Sequence, residues 1–398
     1  MENIFIKTEN VLIECLEKLE EKNYSGYDPA DLLNSNYSII SKMPGNLIKL
    51  LSLVNIYSPV NFRKLLRIKP AQNTSAMVKL TQIYLFLFEM YHKKEHWDKV
   101  IFFIDWLMQK TINEDGTLGW NRTINYQFDS KVRHDKDSSL TFINAQMLTL
   151  LLNLFDITKQ QQYLDWAIQV ANHITYKTNQ IKNFAGICLS YTSKGNLEIF
   201  NASILAGNAL NRIYSYESNE DYLDLSEQIL NYTLNVQFPD GSWAYSYNNA
   251  KYKTNQIDFH QVYMLEGIIY QTTQYQNRVK LAFEKGYEFY IKQMFDKKGR
   301  PLWRYPKKYP IDIHNMAHAI YFLSSYPPPD SSKVSIEGLL DYLFKEFYNS
   351  KDKFFYFHKY PVFKNKIDYI RWNTVWTLYA LSIYLKKNHE KYINRSKL

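Results

Sequence analysis

Apolar residues recur along this chain at helical spacing, in segments that return at a nearly constant interval. Such segments open near Asn144, Asn201, Asp258, His314 and Arg371, with successive openings 57, 57, 56 and 57 residues apart. Ile204, Leu205, Leu210 and Ile213 mark one of them, and Met264, Leu265, Ile268 and Ile269 the next. Ala319, Ile320, Phe322 and Leu323 mark another, and Val375, Leu378, Tyr379 and Leu381 the last; steps of three and four residues are those of an α-helix. Between them lie more polar stretches with the same period, roughly 95–110, 161–177, 219–236, 278–294 and 333–348. Trp106, Leu107, Tyr163 and Trp166 belong to the buried stripes of these second helices. The start is less regular, with a helix near 46–57 and another near 75–92.

A two-helix unit repeated six times predicts an all-α fold. The wide apolar inner helices must be covered on both sides. They are therefore expected to close into an (α/α)6 toroid of six helical hairpins, although an open solenoid shares the local pattern. No Pro/Gly/Ser-rich linker divides the 398 residues, so one domain over 1–398 is expected, with 1–45 a helical extension contributing a loop to the cavity. Three acidic loops support the repeat: Pro239-Asp240-Gly241-Ser242-Trp243, Phe295-Asp296-Lys297-Lys298-Gly299 and Ser350-Lys351-Asp352-Lys353-Phe354. Their aspartates are 56 residues apart each time, and the third loop lacks the glycine of the other two.

Composition narrows the function classes. The formal charge is +9, but lysine and arginine are interleaved with acidic residues rather than gathered on one stripe, which argues against a nucleic-acid partner. No apolar run reaches the roughly eighteen residues of a membrane span. Residues 1–24 alternate charged and apolar positions and read as a surface helix, not a signal peptide. Cys15 and Cys188 fit no metal or redox spacing, and a reducing, cytoplasmic setting is expected.

In such a ring the long loops entering the inner helices converge at one end. Those loops hold Asn113-Glu114-Asp115-Gly116 through Trp120, Ser190-Tyr191-Thr192, Trp243-Ala244-Tyr245, Trp303-Arg304-Tyr305-Pro306 and Phe355-Tyr356-Phe357-His358. Aromatic faces stack on the apolar faces of sugar rings, while carboxylates, asparagine and arginine bond the hydroxyls. Trp120, Trp243, Trp303, Trp372 and Asn201 are accordingly candidates for binding a saccharide; aromatics that merely pack the loops are the plainer alternative.

Two parallel tripeptides stand at inner-helix entrances, Asp258-Phe259-His260 and Asp312-Ile313-His314. Asp258 with Gln261 resembles a capping box in which the glutamine reaches back, and Asp312 and Asp368 also suit plain N-caps. Capping does not account for His260 and His314. In the first helical turn the positive end of the dipole favours a neutral imidazole, which acts as a base. A metal held by both pairs would need an extended segment, because residues two apart diverge on a helix; no metal and no cofactor is expected. Arg371 suits a two-pronged bond to a carboxylate or phosphate, and Tyr369 is a candidate proton donor. Near the start, Tyr27, Asp28 and Asp31 share the stretch Gly26–Asp31, which also reads as a turn before a capped helix. Arg63 is a further candidate cation in apolar surroundings.

Together these segments resemble the VpsJ-like proteins of bacterial exopolysaccharide and capsule biosynthesis. The resemblance lies in Gly26-Tyr27-Asp28-Pro29 with Asp31, Asn61-Phe62-Arg63-Lys64-Leu65-Leu66, and Ser190-Tyr191-Thr192 with Asn201-Ala202-Ser203. It continues through Asp258-Phe259-His260, Tyr309-Pro310-Ile311-Asp312-Ile313-His314 and Tyr369-Ile370-Arg371-Trp372, in the same order along nearly the whole chain. The chain departs from that pattern at His318, where glutamine is usual. The resemblance implies an (α/α) toroid and a role in making or trimming a surface polysaccharide, without fixing a reaction.

The expected partner is thus an oligo- or polysaccharide. A glycosidase needs a carboxyl acid and a second carboxylate, for which Asp28, Asp258 and Asp312 are candidates. A lyase or C5-epimerase acting on an acidic sugar needs a cation and a base, roles suited to Arg371, His260 or His314, and Tyr369. A glycan-binding or assembly factor without catalysis would use the same aromatic cleft. A terpene cyclase-like toroid is the weaker alternative, since no Asp-rich cyclase motif is present. The absence of a Gly-rich cofactor loop argues against nucleotide-sugar redox chemistry.

Overall fold

The computed structural model describes residues 4–125, 138–247, 251 and 256–396. In chain order the first helices are α1 (Ile4–Glu21), α2 (Ser38–Lys42), α3 (Gly45–Tyr57), α4 (Thr74–Tyr91), α5 (Lys94–Met108), α6 (Thr141–Thr158) and α7 (Gln161–Asn172). They are followed by α8 (Phe200–Tyr214), α9 (Glu220–Asn235), α10 (His260–Gly267), α11 (Gln276–Gln293), α12 (Ile313–Ser325), α13 (Ile336–Glu346) and α14 (Trp376–Ser396). Among the described residues no helix is long and apolar enough to cross a membrane.

The periodic segments form the inner wall. Helices α4, α6, α8, α10, α12 and α14 pack side by side in that order, and α14 packs back onto α4. The ring is therefore a closed (α/α)6 toroid, as the broad apolar faces predicted. Every residue of α12 from Ile313 to Ser324 is buried, because the helix is covered on all sides. Outer helix α11 instead buries a stripe, Val279, Ala282, Gly286, Phe289 and Tyr290, and leaves its other face polar. Gly286 is small for a reason: a Cβ there would come within 2.6 Å of the Trp243 ring.

The irregular start resolves differently from the sequence expectation. Helix α1 packs on α14 and α13, so it supplies the outer helix beside the last inner one. Helix α3, the segment near 46–57, is not part of a ring hairpin. It lies against the 3-10 turn Asp31–Asn34, where Leu32, Leu33, Ile40 and Ile48 make a small second core.

Short β-hairpins occupy the loops. Strands β1 (Ile112–Glu114) and β2 (Thr117–Gly119) pair through a two-residue Asp115-Gly116 turn whose φ values are 51° and 78°. That is the positive-φ turn that matches strand twist. Asp115 is thus an exposed hairpin tip, 2.6 Å from Lys177, and not a cavity residue. The acidic loops are also turn devices. The Asp240 carboxylate accepts from the Ser242 amide and that of Asp296 from the Lys298 amide, with Gly241 and Gly299 at positive φ. In the third loop this role falls to Asn349, which accepts from the Lys351 amide, and Lys353 takes the positive φ of 54°. The spacing to Asp352 therefore matched composition rather than role.

Candidate functional site

The loops preceding the inner helices converge on a cleft of about 230 Å³ lined by residues from the last three repeats, the N-terminal segment and, at Arg122, the loop before α6. Its best-organised feature is Asp258 with His260. The Asp258 carboxylate accepts the His260 amide at 3.1 Å, capping the first turn of α10, and the same oxygen lies 2.5 Å from His260 Nδ1. Such a contact keeps the proton on Nδ1 and leaves Nε2 as the basic nitrogen. Asp258 is buried and His260 only partly so, at the cleft wall. Burial works to raise the proton affinity of Asp258, but His260 and the Arg304 guanidinium outweigh it and hold the carboxyl below the usual range. Gln261 does not reach back as a capping-box partner. It exchanges two hydrogen bonds with the Trp243 backbone, at 2.9 and 2.6 Å, fastening helix to loop. Asn144 binds the Trp120 amide and Asn315 the Leu302 and Trp303 carbonyls in the same manner.

Asp312 is the second carboxylate of the cleft. Oδ1 caps α12 through the His314 amide at 2.8 Å and also accepts the Trp372 indole N–H at 3.2 Å. Strand β3 (Ile311–Asp312) pairs with His358–Lys359, which brings His358 Nε2 to 3.3 Å from Asp312 Oδ2. Cap and site residue are here the same side chain.

Arg371 reaches the cleft but is engaged from behind. Its Nε and Nη2 donate to the two oxygens of Asp28 at 2.7 and 3.1 Å. Asp28 also accepts the Ala30 amide, and although burial opposes it, Arg371 holds the carboxyl below its usual range. Asp28 thus positions a cation instead of facing a ligand. Asp31 is paired in the same layer, with Arg63 Nε at 3.0 and 2.9 Å from its oxygens, and the Arg63 guanidinium lies over the Tyr369 ring at 4.6 Å and the Tyr27 ring at 5.7 Å. Tyr369 is fully buried, its hydroxyl 3.4 Å from the Asn55 carbonyl, and burial raises its proton affinity. Tyr27, Asp31, Arg63 and Tyr369 therefore stand behind the cleft wall.

Of the aromatic candidates, Trp303 and Trp372 line the cleft. Trp120 and Trp243 are fully buried, each with its indole N–H donated to a carbonyl of the preceding outer-helix region, Leu107 and Thr233. They pack the repeat. Asn201 is buried near the start of α8, away from the cleft-lining set.

His314 lies under the floor, stacked on Trp372 at 4.2 Å with Nδ1 donating to the Trp372 carbonyl. His318 is one turn deeper, donating to the His314 carbonyl at 2.8 Å. Burial holds His314 well below the usual imidazole range and brings His318 down to about 3. Both histidines are neutral in the fold and protonate when unfolded, so the unfolded chain binds more protons below about pH 6.5. Stability should therefore fall as pH drops through that point, by about 2 kcal/mol per fully buried histidine at pH 5. Urea unfolding at pH 7 and pH 5 checks this; equal midpoints would refute it.

Arg304, His358, Arg122 and Tyr57 are among the cleft residues that the sequence did not single out individually. Arg304 and His358 sit in loops already marked as aromatic-rich, and Arg122 follows Trp120 by two residues. Tyr57, at the end of α3, carried no signal. Arg304 matters most: its Nε makes no hydrogen bond among the described residues and lies 3.9 Å from Asp258 Oδ2. Its guanidinium lies over the Trp303 ring at 4.8 Å. The ring nitrogens of His358 likewise have no hydrogen bond among the described residues. Among those residues no group of three or more His, Cys, Asp or Glu is placed to hold a metal ion. Deeper along the axis, one to two turns into the inner helices, Lys79 and Glu266 line a second cavity, and burial moves both toward about 7 from opposite sides.

Fold and cleft define an (α/α)6 toroid with an aromatic and charged mouth at the N-terminal ends of its inner helices. No protein-family profile matches the chain, and neither does any curated protein. Solved structures do share its fold. A cellobiose 2-epimerase from Bacillus thermoamylovorans superposes with a TM-score of 0.63 at 11% identity, covering 81% of this chain and 90% of that one. An unsaturated glucuronyl hydrolase specific for heparin gives 0.54 at 14% identity over 99% and 98%. A GH76 α-mannanase from Bacteroides thetaiotaomicron gives 0.56 at 11% identity over 92% and 100%.

Proposed function

We propose that the cleft binds a saccharide carrying a carboxylate, and that His260 removes the proton on the carbon next to that group, as in a uronate epimerase or lyase. The observation that carries this reading is the Asp258–His260 pair beside an Arg304 whose Nε has no hydrogen-bond partner among the described residues. Arg304, helped by Arg371, neutralises the substrate carboxylate; Trp303 and Trp372 stack on the sugar. The C–H bond breaks, its proton passes to His260 Nε2 and the electron pair delocalises onto the carboxylate. Delivery of a proton from water to the opposite face inverts that carbon and His260 returns its proton to solvent, whereas expulsion of the neighbouring glycosidic oxygen, which takes up a proton as the C–O bond breaks, leaves an unsaturated sugar and a free hydroxyl.

Hydrolysis with Asp258 or Asp28 as the acid is the less favoured reading. A glycosidase needs one carboxyl group that stays protonated near neutral pH. Asp258 and Asp28 are both held below their usual range by adjacent cations. The names of similarly folded structures, which include epimerases, hydrolases and a polysaccharide lyase, support a sugar ligand without choosing among these reactions. A place in surface-polysaccharide assembly rests on the sequence resemblance, and a cytoplasmic site of action on the spacing of Cys15 and Cys188.

Incubation with uronate-containing oligosaccharides, followed by mass spectrometry and NMR, tests the proposal. The expected products are a stereoisomer or an unsaturated fragment, with no net gain of water. Products heavier by one water per cleaved bond would show hydrolysis instead, and binding without any product would leave a glycan-binding protein.

A further inference from the structure

Helix α3 is apolar on both of its faces, yet among the described residues only one is covered. Ile48 and Leu51 pack against the small core beside the cleft, while Leu47, Leu50, Leu53 and Val54 form the opposite face, with Leu50 57% and Val54 50% exposed. The flanking segments add Ile39 at 66% and Leu65 at 71% exposed. Leaving this much apolar surface in water is unfavourable, and a patch of this kind marks an interaction surface. At 13 residues α3 is about 20 Å long, too short for a hydrocarbon core of about 30 Å, so it cannot span a bilayer.

Charge identifies the occupant. No Asp or Glu occurs anywhere between Asp31 and Glu89, whereas Lys42, Lys64, Arg67 and Lys69 are exposed in the segments flanking α3 and Lys49 lies on α3 itself. A second copy of the chain would bring the same basic patch against itself, because a two-fold interface apposes identical surfaces. An anionic lipid surface satisfies both features at once: leucine side chains enter the headgroup boundary and lysines meet the phosphates.

We propose that α3 and its flanking segments dock the protein on the surface of an anionic membrane. The C-terminal end of the same helix supplies Ile56 and Tyr57 to the cleft, and Tyr57 stacks on His358 at 5.9 Å. Docking through α3 therefore sets the cleft close to the lipid headgroups, where a glycan tethered to a lipid would be within reach.

Flotation of the full chain with vesicles tests this, comparing pure phosphatidylcholine with a mixture containing phosphatidylglycerol. Binding is expected only to the anionic vesicles, decreasing with added salt. The double variant Leu50→Glu/Val54→Glu should weaken it by about tenfold or more, with an unchanged circular dichroism spectrum. Should that variant fail to fold, Lys42→Gln/Lys64→Gln, which alters exposed residues only, is expected to lower binding to anionic vesicles. The proposal is overturned by absence of flotation, by equal flotation of wild type and folded variants, or by a wild-type dimer that these substitutions dissociate. None of these outcomes depends on the reaction assigned to the cleft.

Discussion

Replacement of His260 by alanine should lower turnover of an acidic saccharide by about 10²- to 10⁴-fold, the usual contribution of a positioned general base. The loss should fall on kcat, because an imidazole that acts as the base adds little to ground-state binding. Asp258→Asn should also reduce kcat. The amide no longer fixes the proton on Nδ1, so the wrong tautomer can face the substrate, and the imidazolium loses the carboxylate at Nδ1 that stabilises it. Arg304→Ala should act differently. Its Nε has no hydrogen bond among the described residues, so its removal should raise KM for a carboxylate-bearing sugar and matter far less for a neutral analogue. An unchanged kcat in His260→Ala, with the variant correctly folded, would remove the histidine from the chemistry.

The second large effect concerns stability. Arg63 is fully buried, and its Nε lies about equally close to both oxygens of Asp31, while Nη2 donates to the Asp28 carbonyl at 3.1 Å. Arg63→Ala leaves the Asp31 carboxylate buried and unpaired next to Asp28, and opens a cavity against Tyr369. A loss of about 3–5 kcal/mol is expected, a large share of a typical folding free energy of about 5–15 kcal/mol. Because Asp28 holds Arg371 at the cleft, the same change should also disturb the site. Asp31→Asn combined with Arg63→Met should recover part of the stability, since the orphaned charge is then gone. Urea denaturation measures both; a single-variant loss below about 1 kcal/mol would show that the pair contributes little.

The ring was legible in the sequence because its inner helices are buried on every side, which imposes broad apolar segments at a constant interval. The outer helices were legible for the opposite reason, since each buries one stripe only. Helix α1 was harder to place. Its position beside α14 depends on contacts between the two ends of the chain, and periodicity records only local structure. The acidic loops misled in one case because Asn349 and Asp352 are both able to accept backbone amides, and composition does not say which does so.

The site was legible in part. Asp-x-His at a helix entrance marked two places that the structure treats differently: His260 faces the cleft, whereas His314 is covered by Trp372. Nothing in either tripeptide encodes that difference, which comes from the neighbouring repeat. Tryptophan recurrence mixed two roles. Trp120 and Trp243 are held in the core through their indole N–H groups, and Trp303 and Trp372 are left at the mouth. Asp28 and Arg371 were both marked, but their bidentate contact joins residues 343 positions apart. That pairing turns a candidate acid into the support of a cation.

The central claim is proton removal from carbon by His260. Its most direct measurement is the reaction run in deuterium oxide on a uronate-containing oligosaccharide, with the label located by NMR. Deuterium should appear at the carbon bearing the carboxylate in recovered or epimerised sugar, or that carbon's hydrogen should be lost as an unsaturated product forms; His260→Ala should show neither. A wild-type protein that converts the saccharide while that hydrogen stays in place would contradict the account.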